Sequence, residues 1–349
     1  RGFKVGKFIS PFVHSFTERI QINNCEISEK DLAQCTTIVK NAIEEHGLTP
    51  TEFEVVTAIG LLYFEREKCD YVTLEVGMGG RFDATNVIPP PLVAVITSIS
   101  IDHTEYLGST ISDIAFEKCG IIKTGSKIVA YADNPENANA VIEKTSLEKD
   151  VPLIIPDKKD IEILCQTVEG TDFIYKGEEY HINMLGKHQV YNAVNAIEAA
   201  KLLGIEYEFI KKGLNITKFR GRLEVVSKNP VIIEDGAHNL SGVLALKEAL
   251  KTYFSHKKII IVMAMLKDKE YEKCIKNISS VADVFIATQA NNPRKATSDE
   301  LAQTAGKYIE KVYSQPDVNK AVALAKEISD RDSIICVCGS LYLLGDVHI

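Results

Sequence analysis

Short apolar runs alternate with longer stretches of helical periodicity in the first part of the chain. The strand-like runs are KVGKFIS (4–10), DYVTLEV (70–76), LVAVITSIS (92–100), KIVAYAD (127–133) and PLIIP (152–156). Between them lie helical patterns, of which the first opens on Ser28 with Asp31 three residues on, an approximate N-terminal capping box. This alternation favours a mostly parallel, doubly wound α/β sheet.

The pattern changes twice further along the chain. A more polar segment at 157–187 predicts small antiparallel strands, and HQVYNAVNAIEAAKLLG predicts a helix ending near Gly204. LNITKFRGRLEVV carries glycine and basic residues between two regular regions, which is typical of a hinge. A second alternation follows, with the strand candidates VIIEDGAH, KIIIVMAML, ADVFIATQA, KVYSQ and SIICVCGSLYLL. We therefore predict two domains, 1–217 and 218–349, the second a smaller α/β domain.

Composition narrows the class of protein without fixing its function. A chain of 349 residues with 45% apolar and 25% charged residues is an ordinary soluble globular protein of about two domains. A net charge of −8 argues against nucleic acid or an anionic membrane as the main partner, but leaves a phosphorylated small ligand open. Eight scattered cysteines without a CxxC pair indicate free thiols in a reducing cytoplasm, with a metal or disulfide site as the minor alternative.

Polar side chains follow two of the predicted strands where each strand ends. Glu75 closes YVTLEV before a loop with three glycines, and His103 follows LVAVITSIS. Their separation of 28 residues fits neighbouring strands joined by one crossover, so the two side chains could face one site. A carboxylate and an imidazole together suit a divalent cation. The ordinary alternatives are a salt bridge at the strand end and a loop histidine.

Two further residues could belong to such a site. Lys118, in EKCGII, is by composition a solvated lysine; near a metal, a partly buried lysine can lose its proton and react with carbon dioxide to give a carbamate ligand. Ser10 ends the first strand in the sequence SPF, where a hydroxyl can bind Mg²⁺ or phosphate, although SP is also common in plain turns.

The second alternation offers its own candidates. VIIEDGAHN places Asp235 and His238 at a strand end before a helix that Asn239 or Ser241 could cap. An aspartate at that point could bind a ribose or a metal-bound phosphate. Arg222, in FRGRLE, lies in the predicted hinge, from which a guanidinium could reach phosphate.

Seven segments, taken in order, resemble one known family. They are EVGMGGRFDATN, SIDHTEYLG, EKCGIIK, HQVYNA, GRLEVV, EDGAHN and GSLYLLGDV, and the resemblance covers about residues 3–347. The family is folylpolyglutamate synthase/dihydrofolate synthase, within the Mur-ligase superfamily of ATP-dependent amide ligases. It implies an ATPase-type doubly wound domain and a smaller Rossmann-like glutamate-ligase domain. The implied reaction joins L-glutamate to a folate or pteroate through an acyl phosphate, with ATP and two Mg²⁺ ions.

The resemblance also implies roles for single residues. Ser10 and Glu75 match ligands of the Mg²⁺ that holds the ATP phosphates, His103 matches a ligand of the second ion, and Lys118 matches a carbamylated lysine. Asn192 resembles the residue that contacts adenine. Arg222 and Asp235 resemble phosphate- and nucleotide-binding groups, and His238 lies near them in the sequence. The positions that match the pterin site are Thr51, Glu52, Phe53, Phe82, Asp83 and Ala84. We expect a cytoplasmic monomer that acts on small molecules, with no nucleic-acid or membrane partner.

The chain departs from the family pattern in one important place. The family's phosphate loop, similar to GTNGKGS, precedes the FISP strand, and no G-x-x-x-x-G-K-[ST] occurs in these 349 residues. Such a loop supplies backbone N–H groups, a lysine and a hydroxyl to the triphosphate. We therefore predict little or no ligase activity for this chain by itself and expect truncation of an active parent. The alternatives are a non-catalytic folate- or nucleotide-binding remnant, and a Mur-type ligase with another acceptor. SPF also stands where family members often have SPH.

Overall fold

The computed structural model describes residues 1–348. The chain divides into two compact units, Arg1–Ile155 and Pro156–Ile349, and each is described here by itself. The predicted domain boundary between residues 217 and 218 lies inside the second unit and stays a prediction.

The first unit is an α/β structure with two sheets. Its strands are β1 (Val5–Phe8), β2 (Ile20–Ile22), β3 (Cys25–Glu26), β4 (Tyr71–Leu74), β5 (Ala94–Ile96), β6 (Ile128–Ala130) and β7 (Leu153–Ile154). Its helices are α1 (Glu29–Glu45), α2 (Glu52–Arg66), α3 (Thr104–Leu107), α4 (Ile111–Cys119) and α5 (Glu136–Lys149). All five strands predicted in this part are present, in the predicted order.

The first unit is α/β with parallel strand pairs, as predicted, and its strands form two sheets. One sheet has the order β3-β2-β1-β4, with β1 and β4 parallel and the other pairs antiparallel; the other has the parallel order β5-β6-β7. The sequence pattern did not reveal β2 and β3, because both are very short and lie among polar residues. Since β4 pairs only with β1 and β5 only with β6 among the described strands, the expectation that Glu75 and His103 end neighbouring strands is wrong.

Side-chain caps fix where the long helices of this unit begin. The Ser28 hydroxyl accepts the N–H of Asp31 at 3.0 Å, which confirms the predicted start of α1. Thr51 and Glu54 form a reciprocal capping box at the start of α2. The apolar face of α2 then packs on the sheet through Val56, Ile59 and Phe64. These caps place the start of α2 next to the candidate site described below.

The second unit begins with an antiparallel sheet, as predicted for 157–187. Strands β8 (Ile161–Thr167), β9 (Gly170–Tyr175) and β10 (Glu178–Ile182) pair in sequence order. Helices α6 (Lys187–Leu202) and α7 (Tyr207–Ile216) follow, and they share one apolar core with this sheet. Helix α7 includes Leu214–Ile216, so the irregular part of the predicted hinge is shorter than its sequence suggests.

A six-stranded sheet forms the rest of the second unit. Its order is β11-β12-β16-β13-β14-β15, parallel except for β11. The strands are β11 (Glu224–Lys228), β12 (Val231–Asp235), β13 (Lys258–Met263), β14 (Val284–Ala287), β15 (Val312–Ser314) and β16 (Ser333–Cys338). The helices are α8 (Leu240–Phe254), α9 (Tyr271–Ile278), α10 (Ser298–Ala305), α11 (Val318–Ile328) and α12 (Leu341–Asp346). The second predicted alternation is therefore confirmed strand by strand.

The structure gives the state of the cysteines and the hydropathy of the helices. All eight cysteines are free thiols, and Cys336 and Cys338 are buried in the strand β16. Within residues 1–348, none of the helices is both long and apolar enough to cross a membrane.

Candidate functional site

Pairing of β1 with β4 brings Ser10 and Glu75 together. The parallel register Phe8↔Leu74 aligns the carboxyl ends of the two strands, and both residues lie just beyond those ends. The Glu75 carboxylate accepts a hydrogen bond from the N–H of Ser10, with an N···O distance of 2.8 Å. The Ser10 hydroxyl oxygen accepts one from Nη1 of Arg19, at 3.1 Å. Two of the predicted metal ligands are thus adjacent, with oxygen atoms of both at one point of the surface.

The loop after Glu75 packs tightly against the end of α4. A Cβ atom at Gly80 would lie 2.8 Å from the carbonyl oxygen of Lys118, and one at Gly120 would lie 2.2 Å from Cα of Arg81. Only glycine permits this approach of two backbones. The N–H of Arg81 also donates to the Glu117 carbonyl at 2.9 Å. The glycines therefore allow the loop to pack directly against the end of α4.

Asp83 and Arg81 fix the remainder of this loop. The Asp83 carboxylate accepts the N–H of Met78 and the N–H and hydroxyl of Thr85, and so caps the short 3₁₀ turn Ala84–Val87. The Arg81 guanidinium pairs with Glu117 through two contacts of 2.6 and 3.2 Å. It also lies over the Phe82 ring, 4.3 Å from its centroid. Phe82 is 82% exposed, so an aromatic ring is held at the surface by a fixed cation.

A cavity of about 530 Å³ opens beside this loop. Its walls come from the start of α2, the glycine loop and α3, together with Ser10 and Glu117. The lining residues are Ser10, Thr51, Phe53, Glu54, Gly77, Met78, Gly79, Gly80, Phe82, Asp83, Ala84, Tyr106, Leu107 and Glu117. A volume of this size, mostly apolar with a few fixed polar groups, suits a drug-sized organic ligand.

The residues that the resemblance assigned to the pterin are mostly on this wall. Thr51, Phe53, Phe82, Asp83 and Ala84 line the cavity. Glu52 is not among its lining residues. The carboxylate at the start of α2 that does line it is Glu54, which folds back to the N–H and hydroxyl of Thr51.

Asp102, His103 and Lys118 form a second polar group in the first unit. His103 has left-handed backbone angles, φ 51° and ψ 40°, and its N–H donates to the Asp102 carboxylate at 2.8 Å. Burial lowers the pKa of Lys118, and the negative charge of Asp102 opposes this effect. The structure thus places a carboxylate that the sequence reasoning missed beside both predicted residues; its signal was its position directly before His103.

Oxygen donors at Ser10 and Glu75 fit a hard cation such as Mg²⁺. In the described part of the chain, no three His, Cys, Asp or Glu side chains are grouped closely enough to hold a metal. Mg²⁺ is typically bound through one or two carboxylates, with water and substrate phosphates completing its octahedron. A site with few protein ligands is what that chemistry needs.

In the second unit, Asp235 organises the loop before β11 and the turn after β12. Its two carboxylate oxygens accept the N–H of Leu223 and of Ala237, each at 2.9 Å, and Gly236 donates to the Gly221 carbonyl at 2.7 Å. Burial raises the pKa of Asp235 to about 6, although these N–H groups and the charge of Arg222 lower it. Arg222 is thereby held between two anchored residues.

Three other predicted or neighbouring residues lie in the same unit. Asn192 is in the second turn of α6, where its amide donates to Gln189 at 3.0 Å. His238 contacts the Gly236 carbonyl through Nδ1 at 2.9 Å. His188, which was not a sequence-based candidate, is half-buried near Arg222; burial and that charge lower its pKa to about 4. His188 is therefore neutral at physiological pH.

Two domain families match the chain. Residues 25–200 match the Mur ligase middle domain, and residues 221–341 match the glutamate ligase domain of Mur ligases. The fold and these two domain matches thus define an ATP-dependent amide ligase of the Mur type.

Individual relatives narrow this class. The chain is 35% identical to the dihydrofolate synthase/folylpolyglutamate synthase of Bacillus subtilis, over 99% of this chain and 84% of that protein. It is similar to the folylpolyglutamate synthase of Mycobacterium tuberculosis solved with ADP and AMPPCP, with 28% identity, TM-score 0.91, and coverage of 99% of this chain and 84% of that one. A bifunctional folylpolyglutamate synthase/dihydrofolate synthase from Yersinia pestis, complexed with AMPPNP and a Mn ion, gives 28% identity, TM-score 0.86, and coverage of 99% and 81%. The chain belongs to the folylpolyglutamate synthase/dihydrofolate synthase family.

Proposed function

We propose that the protein ligates L-glutamate to folates at the expense of ATP, and that the cavity beside the glycine loop holds the pterin end of the folate. The observation that carries this proposal is the cavity itself. Its size suits a fused aromatic ring, and exposed Phe82 offers a face on which such a ring could stack. Family membership supplies the reaction class, since its members form amide bonds with ATP.

The chemistry divides into two transfers. A carboxylate oxygen of the acceptor attacks the γ-phosphorus of ATP and displaces ADP, which leaves an acyl phosphate. The amino group of L-glutamate then attacks the acyl carbon, loses a proton, and phosphate departs as the amide forms. Charge on the transferring phosphoryl oxygens is the main obstacle, and fixed cations are the usual means of stabilising it. We assign Arg222 to phosphate contact, with Asp235 and His238 in the nucleotide-binding turn, and Asn192 to adenine.

Ser10 and Glu75 would hold one Mg²⁺, and His103 with Lys118 would serve a second. When bound, these ions would neutralise phosphate charge and polarise the phosphoryl group. The Ser10 N–H holds the Glu75 carboxylate next to Ser10, so that oxygen atoms of both residues lie close together. The lowered pKa of Lys118 favours its neutral amine, the form that adds carbon dioxide and releases a proton to become a carbamate.

The acceptor is the least constrained part of this proposal. Some relatives are named for both dihydrofolate synthase and folylpolyglutamate synthase, so dihydropteroate is a second candidate acceptor. An assay of the full-length protein with ATP, Mg²⁺, L-glutamate and one of three acceptors separates the cases. We expect glutamate incorporation with tetrahydrofolate, with dihydropteroate, or with both. Incorporation only with a muramoyl acceptor would refute the folate assignment, and nucleotide and folate binding without any incorporation would favour a non-catalytic remnant.

We also propose a cytoplasmic, monomeric protein. Free cysteines at all eight positions accord with a reducing compartment. Light scattering coupled to size-exclusion chromatography tests the oligomeric state, and a mass corresponding to two or more copies would contradict it.

A further inference from the structure

Tyr253, near the end of α8, contacts three elements at once through its hydroxyl. The oxygen accepts the N–H of Gly186 at 2.9 Å and the amide Nε2 of Gln166 at 3.1 Å, and it lies 3.5 Å from Oγ1 of Thr171. Gly186 precedes α6, Gln166 is on β8 and Thr171 is on β9. A phenolic hydroxyl has two lone pairs and one proton, so the N–H of Gly186 and the amide of Gln166 occupy both of its acceptor positions.

The start of α6 needs a partner from elsewhere in the fold. Gly186 caps the helix without a side chain, at φ 98°, and a Cβ atom there would lie 2.6 Å from the His188 ring and 3.3 Å from Cδ1 of Leu223. A residue with a capping side chain is thus excluded by sterics. Because Gly186 is buried, its N–H must be paired inside the protein. Tyr253 is the residue that pairs it.

Helix α8 connects this contact to the nucleotide-binding turn. Asn239 caps α8 at its other end, accepting the N–H of Gly242 at 2.8 Å, directly after the turn that Asp235 anchors. The 14 residues from Asn239 to Tyr253 span about 21 Å of rigid helix. One helix therefore begins at the turn that carries Asp235 and His238 and ends on the helix that carries His188 and Asn192.

We propose that Tyr253 is a positioning residue for adenine nucleotide, which sets the orientation of α6, and hence of Asn192, relative to the turn after β12. This inference rests on the proposed function, since it takes Asn192 as the adenine contact. Tyr253 does not touch the nucleotide in this scheme. It acts by fixing the first turn of α6 through Gly186.

The test is Tyr253→Phe in the full-length protein, with Tyr207→Phe as the matched control. The Tyr253 ring packs on the apolar core, so phenylalanine keeps the packing and removes only the hydroxyl. The Tyr207 hydroxyl donates to the Glu179 carbonyl on β10 at 2.9 Å and not to Gly186, and phenylalanine likewise keeps its ring. We expect Tyr253→Phe to raise the Kd of an ATP analogue about tenfold, with the KM for ATP following it. The KM for folate and for glutamate should stay within about twofold, and the control should leave all values near wild type.

A second measurement separates positioning from general loss of stability. Hydrogen exchange of the Gly186 amide should accelerate in Tyr253→Phe at temperatures where the core amides of β13 remain protected. Unchanged ATP-analogue affinity in Tyr253→Phe would overturn the inference even if the melting temperature falls. Equal weakening for ATP, folate and glutamate would also overturn it, because that is the signature of a structural defect. If the wild-type protein bound no adenine nucleotide, the proposed function itself would fail, a result distinguishable from both.

Discussion

Glu75 shows how one residue links strand geometry to chemistry. Its carboxylate lies just beyond the carboxyl end of β4. Because β1 and β4 run parallel and in register, Ser10 lies beside it. At a sheet edge of this kind ligands are expected. Its exposure on the surface of the unit is what a metal that also binds substrate phosphates requires.

We expect Glu75→Ala and His103→Ala each to lose most glutamate ligation, with kcat/KM reduced about 100-fold or more. The reason is that each removes a proposed ligand for Mg²⁺ while leaving the core intact. Steady-state kinetics together with thermal melting would check this, with exposed Glu65→Ala on α2 as the control. Near-normal turnover in both variants would refute the metal assignment.

Glu234 should make stability depend on pH. Burial and the charge of Glu224, which is its partner across β11 and β12, raise the pKa of Glu234 to about 7. Because the folded-state value lies above the unfolded value near 4.5, the protonated form stabilises the fold at low pH, and that stability is lost as pH rises toward 7. Glu234→Gln should therefore raise the free energy of unfolding at pH 8 by about 1–2 kcal/mol, allowing for screening by water, and change it little at pH 4.

Denaturant unfolding at the two pH values measures this effect. Exposed Glu162→Gln on β8 is a suitable control and should show no such difference. A Glu234→Gln variant that loses stability at pH 8 would contradict the prediction.

The pKa of His188 should depend on the charge of Arg222. Burial is the larger cause of its low pKa and the Arg222 charge the smaller. In Arg222→Ala the pKa of His188, followed by NMR, should rise above about 4 but stay below the ordinary 6.5. A value unchanged from wild type would show that the two side chains do not interact electrostatically.

The glycine loop after Glu75 packs directly against helix α4. Gly80 and Gly120 allow the two backbones to meet, and Arg81 closes the contact with Glu117. Because this loop also lines the cavity, its geometry and the shape of the ligand site are coupled.

Gly120→Ala should therefore destabilise the protein by about 2–3 kcal/mol, since the new Cβ would overlap Cα of Arg81. We also expect the KM for folate to rise. Gly213→Ala on α7 is the control, because nothing lies within 4 Å of its Cβ position; there alanine should stabilise the helix by about 0.5–1 kcal/mol. Equal melting temperatures for the two variants would contradict the close packing of loop and helix.

The helices and strands could be predicted from the sequence more completely than the pairing of the strands. Alternation of apolar runs and helical patterns identifies most strands of both units but not β2 and β3, and Ser28 marks the start of α1 correctly. It does not reveal that β4 and β5 belong to different sheets, because strand order depends on long-range pairing that local periodicity does not encode.

For the candidate site, the sequence identified residues of suitable type but did not show which of them contact each other. Glu75 and Ser10 could be selected as strand-end polar residues, but their mutual hydrogen bond needed the register of β1 and β4. Glu54 was overlooked in favour of Glu52, although the T-x-x-E spacing at 51–54 identifies a capping box. His188 and Tyr253 interact with segments that are distant in sequence, so single-residue patterns gave no signal for them.

For the whole molecule, the proposed reaction predicts a conformational change. Domain closure around bound substrates completes the catalytic groups and excludes water in many enzymes. Small-angle scattering of the full-length protein should show a smaller radius of gyration with ATP analogue and folate than without ligand. Identical scattering in both states would count against such a change.

The measurement that tests the central claim most directly uses a folate acceptor labelled with ¹⁸O in its carboxylate. The full-length protein is incubated with ATP, Mg²⁺ and L-glutamate, and folate and phosphate are analysed by mass spectrometry. Ligation through an acyl phosphate predicts a folate longer by one glutamate and one ¹⁸O atom in the released phosphate for each amide formed. Folate that is not lengthened, or lengthened folate with unlabelled phosphate, would contradict it.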